Sequence, residues 1–383
     1  MFWQQRGMNV QMVVYTEIIY ALTVTALEVP SGILADKFGR KRVLAICGVL
    51  SAAEFALLFF ASNFWMFALV VFLSGTGKAL SSGSENALLY DSLLFDGRQE
   101  DFEKHLGRLS AIDFTGSVIA AVSGGILANY FNLEFNYILS FISMCFAFLV
   151  TVFLKEPPKQ TLAKGETAGE SETAAENETA GESETAGALQ YASRALQVFK
   201  NNPLVFIYCL TGAVLGSCII YLDEFWQIIL DNIGVSVVFF GAVSAASLVL
   251  RIPGSLIAYK LKEKFSYRKI LTCTICFCAV GYAAIFLANG LLCLVPMMLL
   301  FVVSGIADPL VSGFLHRHTE SGIRATVESF SSLFLRVVSV GVGLIFGYVS
   351  SNISIFAGVL SFSFICAAYL AVFRIFGAEK PFS

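Results

Sequence analysis

Of 383 residues, 57% are hydrophobic and only 14% charged, with a mean hydropathy of +0.75, whereas a soluble globular chain carries about 25% charge. That balance excludes an ordinary soluble enzyme or nucleic-acid binder and predicts an all-α polytopic membrane protein, whose partners are the lipid bilayer and a small-molecule solute. The net charge of −3 says little, because seven of the 28 acids fall within residues 165–187.

Residues 1–8 are too short and polar to span a bilayer, and the first span is predicted over 9–35. It runs into EVPSGILADKFGRKR, Glu28 to Arg42, where an apolar helix gives way to a tight basic turn. Gly32 and Gly39 permit close approach and reversal there, and Lys37, Arg40, Lys41 and Arg42 would cross a membrane only at high cost. Asp36 is placed just past the helix body. There it would accept bonds from the N–H groups of the next helix, pair with an arginine across a helix gap, or stand solvated. Spans over 43–60 and 64–90, joined only by residues 61–63, must be antiparallel neighbours. A charged loop over 91–108 precedes spans at 109–129 and 135–154, completing an N-terminal bundle of five spans in residues 1–154.

Residues 155–200 form a predicted cytoplasmic linker, with a disordered, acidic, low-complexity centre at 165–187. The C-terminal bundle, 201–376, holds six spans at 203–230, 235–259, 270–288, 291–314, 326–349 and 353–373, and a cytoplasmic tail follows at 377–383. All of the 25 basic residues except Arg6, Lys78, Arg251 and Arg336 fall in loops assigned to one side or in the tail. The N-terminus is therefore expected outside the cell membrane and the C-terminus in the cytoplasm. An internal repeat supports the division: Glu28, Val29, Pro30 and the run to Ala35 are echoed by Arg251, Ile252, Pro253 and the run to Ala258. A fainter echo sets Arg108 and Asp113 against Arg324 and Glu328. Parallel repeats relate two half-transporters about an axis along the membrane normal.

The turn at 32–42 resembles the signature that the major facilitator superfamily carries between its second and third helices. SGSENALLYDSL, residues 82–93, is similar to the corresponding region of its bacterial drug-efflux-like members. The resemblance covers about residues 7–373 and implies a two-bundle fold of twelve helices, of which this chain shows eleven. FWQQRG, residues 2–7, looks like the end of the absent first helix and its external loop, which implies a natural truncation or a misplaced start. Gly32, Asp36, Gly39 and Arg40 would then be the gating motif, whose acid and basic residues help hold the outward-facing state from the cytoplasmic side.

Charges within spans are costly and mark function. Lys78, flanked by Gly75 and Gly77 near mid-span, would pair with Asp113 or Glu54 or meet an anionic group of the substrate, the alternative being a structural ion pair. Glu17 and Asp113 are the candidate proton-coupling acids. Asp223 and Glu224 approach the outer end of their span, and Glu28, Glu85, Arg251, Asp308, Glu328 and Arg336 are placed nearer cytoplasmic ends or helix interfaces in structural or gating roles. Trp226 reads as an interfacial anchor, or with Tyr221 and Phe225 as the lining of a vestibule for an amphipathic cation. His105, His316 and His318 form no catalytic constellation, and no cofactor or metal is expected. The nine cysteines read as buried small side chains. The expected activity is proton-coupled efflux of a small organic or amphipathic solute by alternating access, with no oligomer required. Solute uptake, a non-transporting membrane protein and a truncated inactive carrier are the alternatives.

Overall fold

The computed structural model describes residues 2–98, 101–157, 202–288, 290–317 and 324–377. The acidic segment 165–187 and the tail beyond 377 lie outside the described residues, as do the side chains of Asp36, His316, Arg324 and Glu328. A one-turn helix α1 (Phe2–Gln5) precedes α2 (Val10–Phe38), α3 (Arg40–Phe60), α4 (Phe64–Phe95), α5 (Phe102–Tyr130) and α6 (Leu133–Phe153). The second half holds α7 (Pro203–Asn232), α8 (Val238–Lys264), α9 (Tyr267–Leu287), α10 (Leu294–Arg317), α11 (Arg324–Asn352) and α12 (Ile355–Phe376). Among the described residues eleven helices, α2 to α12, are long and apolar enough to cross a membrane.

Several helices start where a short polar side chain takes over an orphan N–H of the first turn. Asn9 accepts from Met12, Asn63 from Met66, Asn132 from Phe135 and Ser354 from Ala357. Helix α2 does not stop at residue 35: it runs to Phe38, through Pro30, and the reversal falls on Gly39 alone, at φ 94°. Asp36 is therefore in the last turn of α2, not past the helix body. The charged segment 91–108 is also largely helical, α4 ending at Phe95 and α5 starting at Phe102. Long basic side chains such as Lys104 and Arg108 are good helix formers that reach solvent from a helix end, so charge there does not end the helix.

The helices pack as two halves. In the second, Tyr208 stacks on Phe314 (3.6 Å between ring centroids) and Phe346 on Phe362 (4.9 Å). Helices α8 and α10 cross backbone to backbone: a Cβ on Gly254 would strike the Val302 carbonyl oxygen, and one on Gly305 the Arg251 carbonyl oxygen. Between apolar helices in lipid such close approach, not hydrophobic burial, supplies the contact energy. Two crossings join the halves, α2 with α11 and α5 with α8. They involve corresponding helices of the sequence repeat, since α2 and α8 carry the Pro30 and Pro253 copies.

Candidate functional site

At the basic end of the first half, Gly39 lets α3 begin directly beneath α2. The N–H of Arg40 donates to Glu156 Oε1 (2.7 Å), just beyond α6. A carboxylate at this helix start answers both the unpaired N–H groups and the helix dipole. Across the groove, the Arg40 guanidinium donates to the Ala87 carbonyl oxygen (2.5 Å) and pairs with the Asp91 carboxylate of α4. Asp36 was one of the groups expected near the first N–H groups of α3; the N–H of Arg40 is taken by Glu156. Asp91 was legible as part of the family-like segment 82–93, whereas Glu156 carried no signal beyond its place at the end of a span.

Between the halves, acids and bases of four helices gather around Tyr20 of α2. Glu17 of α2, Glu54 of α3, Glu224 of α7 and Arg336 of α11 all lie within electrostatic reach of its hydroxyl. Glu17 and Glu224, one from each half, are close enough to repel one another. On the basic side of this group Arg336 Nη2 lies 4.0 Å from Glu28 Oε2, an ion pair that bridges α2 and α11. Glu17 thus sits near the boundary between the two halves. Glu224, placed toward the outer end of its span by sequence, is its opposite number.

Glu54, Lys78 and Glu85 line a cavity of about 460 Å³ between α2, α3, α4 and α6, with the hydroxyls of Ser51, Ser74 and Ser81. Lys78 is exposed to it, and among the described residues no ion pair within 4 Å joins Lys78 to Glu54 or Asp113. Asp113 lies in a stretch of α5, residues 111–117, that is exposed throughout. Of the alternatives open for Lys78, an ion pair with Glu54 or Asp113 is not formed among the described residues, and Asp113 is not among the groups around Tyr20.

In the second half the Arg251 guanidinium of α8 pairs with Asp223 of α7 and lies over the Phe301 ring of α10 at 5.4 Å. Arg251, expected near a cytoplasmic end or at a helix interface, stands at an interface; its span, predicted to finish at 259, continues as α8 to Lys264, which puts Arg251 mid-helix. Trp226 is neither interfacial anchor nor vestibule wall: it is 6% exposed and meets Phe240 edge to face at 5.6 Å. Tyr221 and Phe225 are likewise buried, packed against Phe346 of α11.

The halves are joined at the end where α2 begins. The Gln11 N–H donates to Ser351 Oγ (3.0 Å), and a Cβ on Gly347 would lie 3.1 Å from Val14 Cγ2. In the second crossing a Cβ on Gly125 would lie 2.9 Å from the Gly241 nitrogen, and one on Gly241 would strike the Ala121 carbonyl oxygen. Behind this seal Arg6 donates to the Phe59 and Ala61 carbonyl oxygens (2.7 and 2.9 Å) and to Glu134 (2.7 Å), tying α1 to α3 and α6.

Among curated proteins the chain is 21% identical over 332 residues to the uncharacterized MFS-type transporter YxaM of Bacillus subtilis (strain 168), covering 85% of this chain and 77% of that protein. It is 27% identical over 157 residues to an uncharacterized transporter of Buchnera aphidicola subsp. Acyrthosiphon pisum, spanning 39% of this chain and 37% of that one. Its fold is similar to that of the nucleoside transporter NupG, with a TM-score of 0.74 at 15% identity over 98% of this chain and 92% of that one. A D-xylose-proton symporter aligns with a TM-score of 0.68 at 13% identity over 97% and 87%. None of these relatives carries the expected likeness to drug-efflux members or the reading of a lost first helix. Among the described residues eleven helices are long and apolar enough to cross a membrane, and the family model described as Major Facilitator Superfamily matches residues 3–338: the chain belongs to that superfamily of secondary transporters and is a multi-pass membrane protein.

Proposed function

We propose that the chain is an uptake carrier that moves a small polar, hydroxylated solute together with protons by alternating access. The observation that carries this reading is that Glu17 and Glu224, from opposite halves, lie within electrostatic reach of one another and, with Arg336, of Tyr20. Two carboxylates facing each other repel when both are ionised and tolerate contact when they share a proton, so proton uptake and release bias the halves toward or away from one another. Lys78 and Glu54, with the serine hydroxyls of their cavity, are the groups that meet solute. The gating role of Gly32, Asp36, Gly39 and Arg40 enters through the ties of Arg40 to Asp91 and Glu156, which make the basic end of the first half one body. Asp113 has no place in this coupling scheme.

A polar cargo fits better than an amphipathic cation, because Tyr221, Phe225 and Trp226, which would have received such a cation, are packed away. The nucleoside and D-xylose–proton carriers share the fold, which is consistent with import. Helix order brings the Lys37–Arg42 turn, Lys260–Lys264 and Arg374 to the same end, and the charge rule puts that end in the cytoplasm. The seal formed by Gln11, Ser351, Gly125 and Gly241 then faces outside. The test is uptake into proteoliposomes under an imposed pH gradient, with nucleosides, pentoses, hexoses and lipophilic cations offered in parallel. Accumulation of a hydroxylated solute that a protonophore abolishes is the expected result. Movement of lipophilic cations against the proton flow, with none of the hydroxylated solutes, would overturn it.

A further inference from the structure

Apart from the group around Tyr20, the ends of α8, α9 and α12 and the side of α10 enclose a cavity of about 1020 Å³, at the upper limit of small-molecule pockets, about 300–1,000 Å³. None of its lining residues belongs to the charged group between the halves. It lies along an exposed face of α9 on which Cys273 and Phe277 stand. Its two ends differ chemically. At one end Arg268 and Lys269, in the first turn of α9, meet Arg374, in the last turn of α12. From there the walls are apolar, Phe277 on α9 and Val303 and Ile306 on α10. Phe277 is nine residues beyond Arg268, about 13 Å along the helix axis at 1.5 Å per residue.

The basic end is built, not scattered. Arg268 Nη2 donates to the Arg374 carbonyl oxygen (2.8 Å), which ties α9 to α12 where Arg268, Lys269 and Arg374 all line the cavity. No acidic side chain lines the cavity, and among the described residues none of the three has an ion-pair partner within 4 Å. Like charges held together call for an anion, and two guanidinium groups suit a phosphate. A free phosphate leaves the apolar length unused, and an apolar guest leaves the cations unused. Charge at the helix ends with an apolar run into membrane depth is the shape of an anionic lipid, which basic sites between transmembrane helices recognise. We propose that this cavity binds an anionic phospholipid of the surrounding bilayer, its phosphate on Arg268, Lys269 and Arg374 and an acyl chain along α9 and α10.

The test uses the full chain in detergent with phosphatidylglycerol or phosphatidylcholine of matched chains, read by retained lipid in native mass spectrometry and by thermal unfolding. Phosphatidylglycerol is expected to be retained in preference and to raise the unfolding temperature. In R268Q/K269Q/R374Q the preference is expected to fall at least about tenfold, at roughly 1 kcal/mol per basic residue lost. The same charge removed from the first half, R98Q/K104Q/R108Q, is expected to leave it intact. Should the triple variant fail to fold, Lys269→Gln alone, at an exposed position, is expected to lower retention measurably. Equal retention of the two lipids, equal loss in the first-half control, unchanged retention in the Lys269 variant, or displacement by inorganic phosphate at equal concentration would each overturn the proposal.

Discussion

Arg40, the first residue of α3, pairs through its guanidinium with Asp91 of α4, and its own N–H is held by Glu156 beyond α6. One residue thus ties three helices of the first half at their basic ends. None of these ties reaches the second half; at this level α2 meets α11 through the Glu28–Arg336 pair. On the proposed alternating-access reading, the basic turn is a clamp within the first half, and Glu28–Arg336 is a link that rocking of the halves would break.

The clamp is expected to show as a coupling between Arg40 and Asp91. With the side chains 22% and 43% exposed, a double-mutant cycle of Arg40→Ala and Asp91→Ala on thermal unfolding should return about 1 kcal/mol, the upper part of the range for partly exposed pairs. Strictly additive effects would show that the pair contributes nothing. Because the clamp lies within one body, both variants are also expected to keep substrate affinity while turnover falls.

Proton coupling is expected to depend on both halves at once. Glu17→Gln and Glu224→Gln should each abolish gradient-driven accumulation while leaving exchange of labelled for unlabelled solute, which needs alternation but no net proton movement. Full accumulation in both single variants would remove the pair from the mechanism. Asp113→Asn, on an exposed stretch of α5, is expected to leave accumulation as in the parent.

The helices were legible because each is an apolar run of membrane length; the polar caps that fix their starts, Asn9, Asn63 and Asn132, are seen only in the structure. Ends were less legible, because charge near a helix terminus reads as loop while the helix continues; this misplaced Asp36 and cut the Arg251 span short at 259 instead of Lys264. The pairs that build the site depend on the fold alone. Arg40 is 51 residues from Asp91 and 116 from Glu156, and no local pattern in α3 singles out either partner. Glu17 was readable as a costly intramembrane acid, but the electrostatic reach of Glu224 to it appears only when the two halves are assembled. Trp226 was misjudged because an aromatic near a span end fits an interfacial belt and a helix contact equally well.

The seal at the start of α2 rests on glycines, and it is expected to fail when a side chain is added. A Cβ on Gly241 meets the Ala121 carbonyl oxygen, a backbone atom that cannot swing aside. Gly241→Val should therefore separate α5 from α8 and disfavour the state sealed at this end. With cysteines at 121 and 238, disulfide formation in the absence of solute is expected to be fast in the parent and at least several-fold slower with Gly241→Val. An unchanged rate would mean that the crossing tolerates the bulk and does not define the state.

Lys78 decides between a structural and a solute-binding role for the cavity in the first half. It is exposed to that cavity, shares it with Glu54 and Glu85, and among the described residues has no carboxylate within 4 Å. A lysine that stabilises the bundle would be expected in an ion pair, since an ammonium left unpaired between apolar helices is costly. One that waits for solute has reason to stand free in a polar cavity. Lys78→Gln is therefore expected to raise KM about ten- to a hundredfold with kcat little changed, the cost of one charge-assisted hydrogen bond of roughly 1.5–3 kcal/mol. The unfolding temperature in detergent should stay close to that of the parent, and Glu54→Gln, across the same cavity, should change solute preference more than stability. A variant that unfolds several degrees earlier at unaltered KM would return Lys78 to the scaffold and move the solute toward Tyr20 and the boundary between the halves.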